Sequence, residues 1–147
     1  MTAGPTTVRN MVVVLGDQLN RDSSAFDGFD PSRDVVVMAE SAEEATCIPQ
    51  HQQRLVLFFS AMRHFRDQLT RSGMVVHYRE LDLTCCTPAL AELMSMDAAA
   101  LAPSRIVMTE PGDLVGVVSP TYAMYMVYSK LFQTRLENIT YKTGKIK

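Results

Sequence analysis

The sequence predicts an α/β fold with a parallel sheet, and three observations predict it. Short apolar runs rich in valine recur at Met11–Leu15, Val35–Ala39, Met74–Tyr78 and Ile106–Met108. The first two are apolar at every position rather than alternating, which suits strands covered on both faces, as in a parallel sheet. Two stretches between the runs repeat apolar residues every three or four positions, the signature of a helix with one buried face. Strands alternating with helices at short connections give layers of helix on sheet.

Taken in order, residues 1–7 read as a disordered leader. The first strand, Met11-Val12-Val13-Val14-Leu15, runs into Gly16-Asp17-Gln18-Leu19. Those polar residues emerge at its carboxyl end, where open α/β sheets bind ligands. Asn20–Asp34 holds Asp22, Ser23, Ser24, Asp27, Gly28, Asp30 and Pro31, so a long surface connection with one short helical turn is expected. Val35–Ala39 is the second strand and ends at Glu40.

A helix is predicted from Pro49 to about Arg71, with Leu55, Phe58, Met62, Phe65 and Leu69 on one face and Ser72-Gly73 as its stop. Met74–Tyr78 follows as the third strand. Leu90, Leu93, Met94, Ala98 and Leu101 mark a second helix, with Thr87 as N-cap, Pro88 at its first position and Pro103 closing it. The fourth strand, Ile106–Met108, leads to Thr109-Glu110-Pro111-Gly112.

After Asp113 the composition shifts. Of the sixteen acids only Glu137 lies beyond it, whereas four of the five tyrosines do. The division is therefore a domain over residues 8–113 and a divergent tail over residues 114–147. Either Ser119-Pro120 opens a helix followed by a short strand near Ile139, or the tail stands outside the domain.

The 147 residues suffice for one domain, and a net charge of −2 supplies no basic field that would draw nucleic acid. The cysteines, Cys47, Cys85 and Cys86, show no metal-binding spacing, which points to a reduced, cytoplasmic protein without a structural metal. The first ten residues lack the apolar core of a secretory signal, and the longest uncharged run, Leu114–Ser129, is too short and polar to cross a bilayer.

Gly16 stands alone, so the glycine-rich dinucleotide fingerprint is absent, as are a phosphate-binding P-loop and a serine-nucleophile elbow. His64 and His77 read as helix-surface and strand residues. His51 falls at a helix amino terminus, near the carboxyl ends of the strands. Asp17, Glu40, Glu43, Glu44 and Glu110 all follow strands or open the next segment. Each alone reads as a solvated acid or a helix-dipole partner. Together they suggest hydrogen-bond acceptors for a ring N–H or for ribityl or ribose hydroxyls; a carboxylate pair could also hold a metal or act as acid and base, which no second motif supports.

These residues carry a family resemblance. Val13-Val14-Leu15-Gly16-Asp17-Gln18-Leu19, Met38-Ala39-Glu40, Ala42-Glu43-Glu44-Ala45, His51, Phe59-Ser60-Ala61-Met62-Arg63-His64-Phe65 and Thr109-Glu110-Pro111-Gly112 occur in this order. The set, from Met11 to Asp113, resembles the amino-terminal domain of the bacterial deoxyribodipyrimidine photolyase-related proteins, the iron–sulfur cryptochrome/photolyase group that includes the prokaryotic six-four photolyases. The resemblance implies a Rossmann-like, three-layer antenna domain holding a light-harvesting chromophore, 6,7-dimethyl-8-ribityllumazine or a deazaflavin. It places Gly16, Asp17 and Gln18 along the pocket, Glu44 as an acceptor from the chromophore ring, His51 on the helix rim, and Glu40 and Cys47 in the same wall. The family often has a tyrosine at Cys47 and basic residues at Gln50 and Gln52, and a tryptophan usually follows its Glu-Pro-Gly element, whereas this chain has none.

FAD, the iron–sulfur cluster and DNA are bound in that family by a long helical carboxyl-terminal region. The chain alone is therefore expected not to repair DNA and to be a truncated or frame-shifted product. Its expected partners are the chromophore, DNA only through the missing region, and no membrane. Two competing readings are a stand-alone Rossmann-like module for a small ligand or nucleotide, and a non-functional remnant.

Overall fold

A computed structural model of the chain describes residues 7–42, 51–82 and 88–109, and the backbone of Ile139–Lys142. Strand β1 (Asn10–Val13) is followed by a single 3-10 turn at Ser24–Phe26, then β2 (Asp34–Ala39) and helix α1 (Gln52–Arg71). Next come β3 (Val76–Arg79), helix α2 (Leu90–Leu101), β4 (Arg105–Thr109) and β5 (Ile139–Lys142). The sheet order is β3-β2-β1-β4-β5 and every pairing is parallel.

The short strand expected near Ile139 is observed, β5 pairing with β4 from Ile139 opposite Ile106 to Lys142 opposite Thr109; the helix expected to open at Ser119-Pro120 lies outside the described residues. The sheet thus takes in residues from the segment set apart by its composition.

The side-chain period of two divides the sheet between two cores. Met11, Val13, Leu15, Val35, Val37, Ala39, Ile106 and Met108 face one way and pack with Leu90, Leu93, Met94 and Ala98 of α2. Val12, Val14, Val36, Met38 and Val107 face the other way, under Met62, Phe65 and Leu69 of α1 and Ala25 of the 3-10 turn. Both faces of the central strands are buried, which is why their sequences are unbroken apolar runs. Each such side chain contributes roughly 1.5–3 kcal/mol on burial. The molecule is a three-layer, Rossmann-like α/β domain.

Element ends follow local chemistry. In α1 the His51 side chain caps the first turn, its Nδ1 accepting from the Gln53 N–H at 3.3 Å. The helix ends at Ser72, and Gly73 takes φ +83°, the left-handed conformation glycine adopts without a Cβ penalty. Helix α2 begins later than expected. Pro88 precedes it and Ala89, in extended backbone, is the N-cap, its carbonyl accepting from Glu92 and Leu93 N–H groups at 2.8 and 3.1 Å. Thr87 lies outside the described residues. At the other end Ala102 takes φ 43° just before Pro103.

One buried acid holds the amino ends of the strands together. Asp34, fully buried at the start of β2, accepts from Arg9 Nε at 2.9 Å, the Asn10 N–H at 3.1 Å and the Asp30 N–H at 2.9 Å, and pairs with Arg9 Nη2. A cleft of about 190 Å³ beside it is lined by Arg9, Asp27, Phe29 and Arg105 among others. That cleft lies at the amino edge of the sheet, opposite the residues singled out by the sequence, and its two arginines are balanced by Asp27 and Asp34.

Candidate ligand site at the carboxyl edge of the sheet

The chain leaves β1 toward β2 and β3 on one side and returns to place β4 on the other. Neighbouring strands whose connections depart in opposite directions leave a crevice between their carboxyl ends, and that switch point is where open α/β sheets bind ligands. Here it lies between β1 and β4. Gly16, Asp17 and Gln18 stand at one side of it and Thr109 at the other.

The three residues after β1 have different fates. Gly16 is buried, and α1 covers it: a Cβ built on Gly16 would lie 2.3 Å from Phe58 Cζ and 2.9 Å from Met62 Sδ. The glycine is thus required where helix meets strand end. Asp17 is exposed. The protein around its carboxyl raises its pKa, opposed by a hydrogen bond from its own backbone.

Gln18 is half-buried. Its Nε2 donates to the Thr109 carbonyl at 3.4 Å, while Oε1 is buried and accepts from no described residue. The Ser23 and Thr109 hydroxyls lie 2.8 Å apart and tie the β1–β2 connection to the end of β4.

Glu40, expected in the pocket wall, faces inward. It is fully buried, and its carboxylate accepts from Arg63 Nε at 2.7 Å and Arg63 Nη2 at 2.9 Å, the Tyr78 hydroxyl at 2.6 Å and the Leu81 N–H at 3.0 Å. Burial alone would raise its pKa; the Arg63, Tyr78 and Leu81 hydrogen bonds more than offset that and hold it below the ordinary carboxylate range. Burial and the Glu40 contact push the Tyr78 hydroxyl up, so it remains a donor. Arg66 lies over the Tyr78 ring at 4.9 Å and pairs with Glu80 at 2.8 Å, adding a second cation at the ends of β2 and β3. The described polar capacity of Glu40 is spent on joining β2, α1 and β3.

His51 is exposed at the amino end of α1, with Nδ1 engaged in capping. His64 and His77 are exposed on helix and strand. Glu43, Glu44, Cys47 and Glu110 lie outside the described residues.

The structure therefore brings together Asp17, Gln18 and Thr109, with Phe58 above Gly16, and sets Glu40 apart. The roles of Phe58, Arg63 and Tyr78 had no sequence signal. Phe58 read as one more apolar position of α1, and Arg63 as a residue largely off that face. Among the described residues, no group of three or more histidines, cysteines or acids could hold a metal ion, and no helix is long and apolar enough to cross a membrane.

Comparison with known proteins agrees with the residue patterns. The family model for deoxyribodipyrimidine photo-lyase-related protein matches residues 12–116, more than half of the chain. A protein of Agrobacterium fabrum described as a (6-4) photolyase is 36% identical over 103 residues, covering 70% of this chain and 20% of that protein. The chain thus spans about a fifth of the length of that curated relative.

Proposed function

The chain belongs to the deoxyribodipyrimidine photo-lyase-related family, and from that premise we propose that it is an antenna-type domain binding a small light-absorbing ligand at the carboxyl edge of its sheet. The observation that carries the reading is the arrangement at the switch point. The end of β1 delivers an exposed carboxylate, Asp17, and a side-chain oxygen, Gln18 Oε1, that accepts from no described residue. A buried acceptor left unsatisfied costs about 1–3 kcal/mol, and a ligand hydroxyl or ring N–H would recover it.

The ligand class proposed is a ribityllumazine or a deazaflavin, whose hydroxylated side chain and ring N–H groups are donors of that kind. When bound, such a group supplies absorption of near-ultraviolet or blue light. Asp17 and Gln18 would hold its hydroxyls, Glu44 its ring N–H, and His51 and Cys47 would border it. Glu40 acts at one remove, fixing β2 against α1. The acceptors fit the polar part of such a ligand; the ring part meets Phe58. Excitation transfer to FAD, with light-driven DNA repair or blue-light sensing as the outcome, is proposed only in concert with an FAD-binding helical region. An iron–sulfur cluster and DNA contacts are assigned to that region too.

The test is the absorption spectrum of the protein purified from its own host, followed by titration with 6,7-dimethyl-8-ribityllumazine and with a deazaflavin. The chain's longest-wavelength absorbers are its tyrosines, so a blue band, or an ultraviolet band to the red of tyrosine absorption, must come from a ligand. A bound band, or saturable binding that Asp17→Ala and Glu44→Ala each weaken, is expected. A colourless protein that binds neither compound would overturn the reading.

A further inference from the structure

We propose that Phe58 sets the size of the ring this site accepts, by standing in the place over Gly16 that a planar ligand would take; the inference rests on the ligand-binding reading above. Gly16 is the position at the end of β1 where the missing side chain would let a ligand approach the backbone closely. In this chain that space is taken by the protein itself. The Phe58 ring tip lies 2.3 Å from where a Gly16 Cβ would be, a second ring atom lies at 2.9 Å, and Gly16 is buried beneath them although its neighbour Asp17 is exposed.

Two features say that the ring is placed at an opening rather than deep in the core. Phe58 is half-buried, whereas Met62, Phe65 and Leu69, one to three turns further along α1, are buried. Val56 and Leu57, which precede it on other faces of α1, are 65% and 71% exposed. Phe58 is the first side chain of α1 in the cluster that holds Val12 of β1. Its only described aromatic neighbour is Phe59, edge-on at 5.6 Å, so no second ring stacks face to face on it. A planar ligand seated on Gly16 would have to displace Phe58 or share the space with it, while Asp17 and Gln18 beside it stay available to a hydroxylated chain. The polar half of the site is open and the ring half is filled by a residue of the protein.

The experiment compares the full chain with Phe58→Ala and Phe58→Leu, each checked for folding by circular dichroism and thermal unfolding, in titrations with 6,7-dimethyl-8-ribityllumazine. Phe58→Ala should bind about tenfold more tightly or better, a difference of roughly 1.4 kcal/mol, with Phe58→Leu between. Leucine keeps the position apolar and serves if alanine compromises folding. Benzene is the second probe, because apolar engineered cavities of ring size take it up. It should raise the melting temperature of Phe58→Ala and leave the parent unchanged.

Equal, measurable lumazine affinity in parent and variants overturns the role of Phe58 and leaves the ligand-binding reading intact. Binding by none of the three proteins overturns both. Benzene uptake by Phe58→Ala without any gain in lumazine affinity also overturns the inference, since the vacated space would then lie apart from the ligand site.

Discussion

Arg63 on α1 holds Glu40 at the end of β2 through two parallel contacts, Nε to Oε1 at 2.7 Å and Nη2 to Oε2 at 2.9 Å. The carboxylate is fully buried while the guanidinium is 44% exposed, so the two partners are not equivalent. Removing Arg63 leaves a buried charge with only Tyr78 and Leu81 to serve it. Removing Glu40 leaves an arginine that water can reach. Arg63→Ala is therefore expected to cost about 3 kcal/mol, the lower end for a broken buried pair. Arg63→Lys, which keeps the charge but loses the fork, should recover only part of that. Urea unfolding midpoints of the three proteins check the order.

The same burial makes stability depend on acid. Burial would raise the pKa of Glu40 and Asp34, but hydrogen bonds, led by Arg63 for the first and Arg9 for the second, bring both below the ordinary carboxylate range. A group whose folded pKa is depressed stabilises the fold above its unfolded value, about 4. That contribution is lost as pH falls through the lower, folded value. Stability should therefore be flat near neutral pH and fall progressively below about pH 4. Glu40→Gln and Asp34→Asn should be less stable at neutral pH and show a shallower acid limb. Thermal melts from neutral to strongly acidic pH read both effects, and an unchanged acid limb in both variants would refute the assignment.

Gly16 and Phe58 form a coupled pair. Gly16→Ala pushes a methyl against the Phe58 ring and Met62 sulfur and should cost about 1–3 kcal/mol as overpacking. In a Phe58→Ala background the same methyl enters space the ring has left. The double variant should be more stable than the sum of the single costs, by on the order of 1 kcal/mol. A double-mutant cycle of unfolding free energies measures the coupling, and strict additivity would show that the two do not meet.

Gln18 separates stability from binding. Gln18→Leu removes an acceptor that no described residue satisfies, together with one long hydrogen bond to Thr109. Stability should change by less than about 1 kcal/mol. Affinity for a hydroxylated ring ligand should nevertheless fall, by about tenfold for the loss of one hydrogen bond. Calorimetric titration beside a melting curve resolves the two.

Much of this was readable from the chain alone. The unbroken valine runs, the three-and-four spacing of Met62, Phe65 and Leu69, and the Ser72-Gly73 stop each report a local or periodic property, and local properties survive in one dimension. That is why the α/β class, four strands, both helices and the single helical turn in the β1–β2 connection could be placed from residues alone. The resemblance to photolyase-related proteins was legible for the same reason, since Gly-Asp-Gln-Leu and Ser-Ala-Met-Arg-His-Phe are short contiguous motifs.

The sequence could not say which strands are neighbours or where an acid's charge is spent. Asp17 and Glu40 look alike on the page, each following an apolar run, yet one is exposed at a crevice and the other is sealed among Arg63, Tyr78 and Leu81. The resemblance placed Gly16 along a pocket, and in the tertiary structure Phe58, forty-two positions away in the chain, packs against it. Strand and helix period are written in the chain because backbone geometry repeats. Switch-point position, carboxylate pairing and the filling of a cavity depend on groups distant in sequence meeting at contact distance, and only the folded chain decides those.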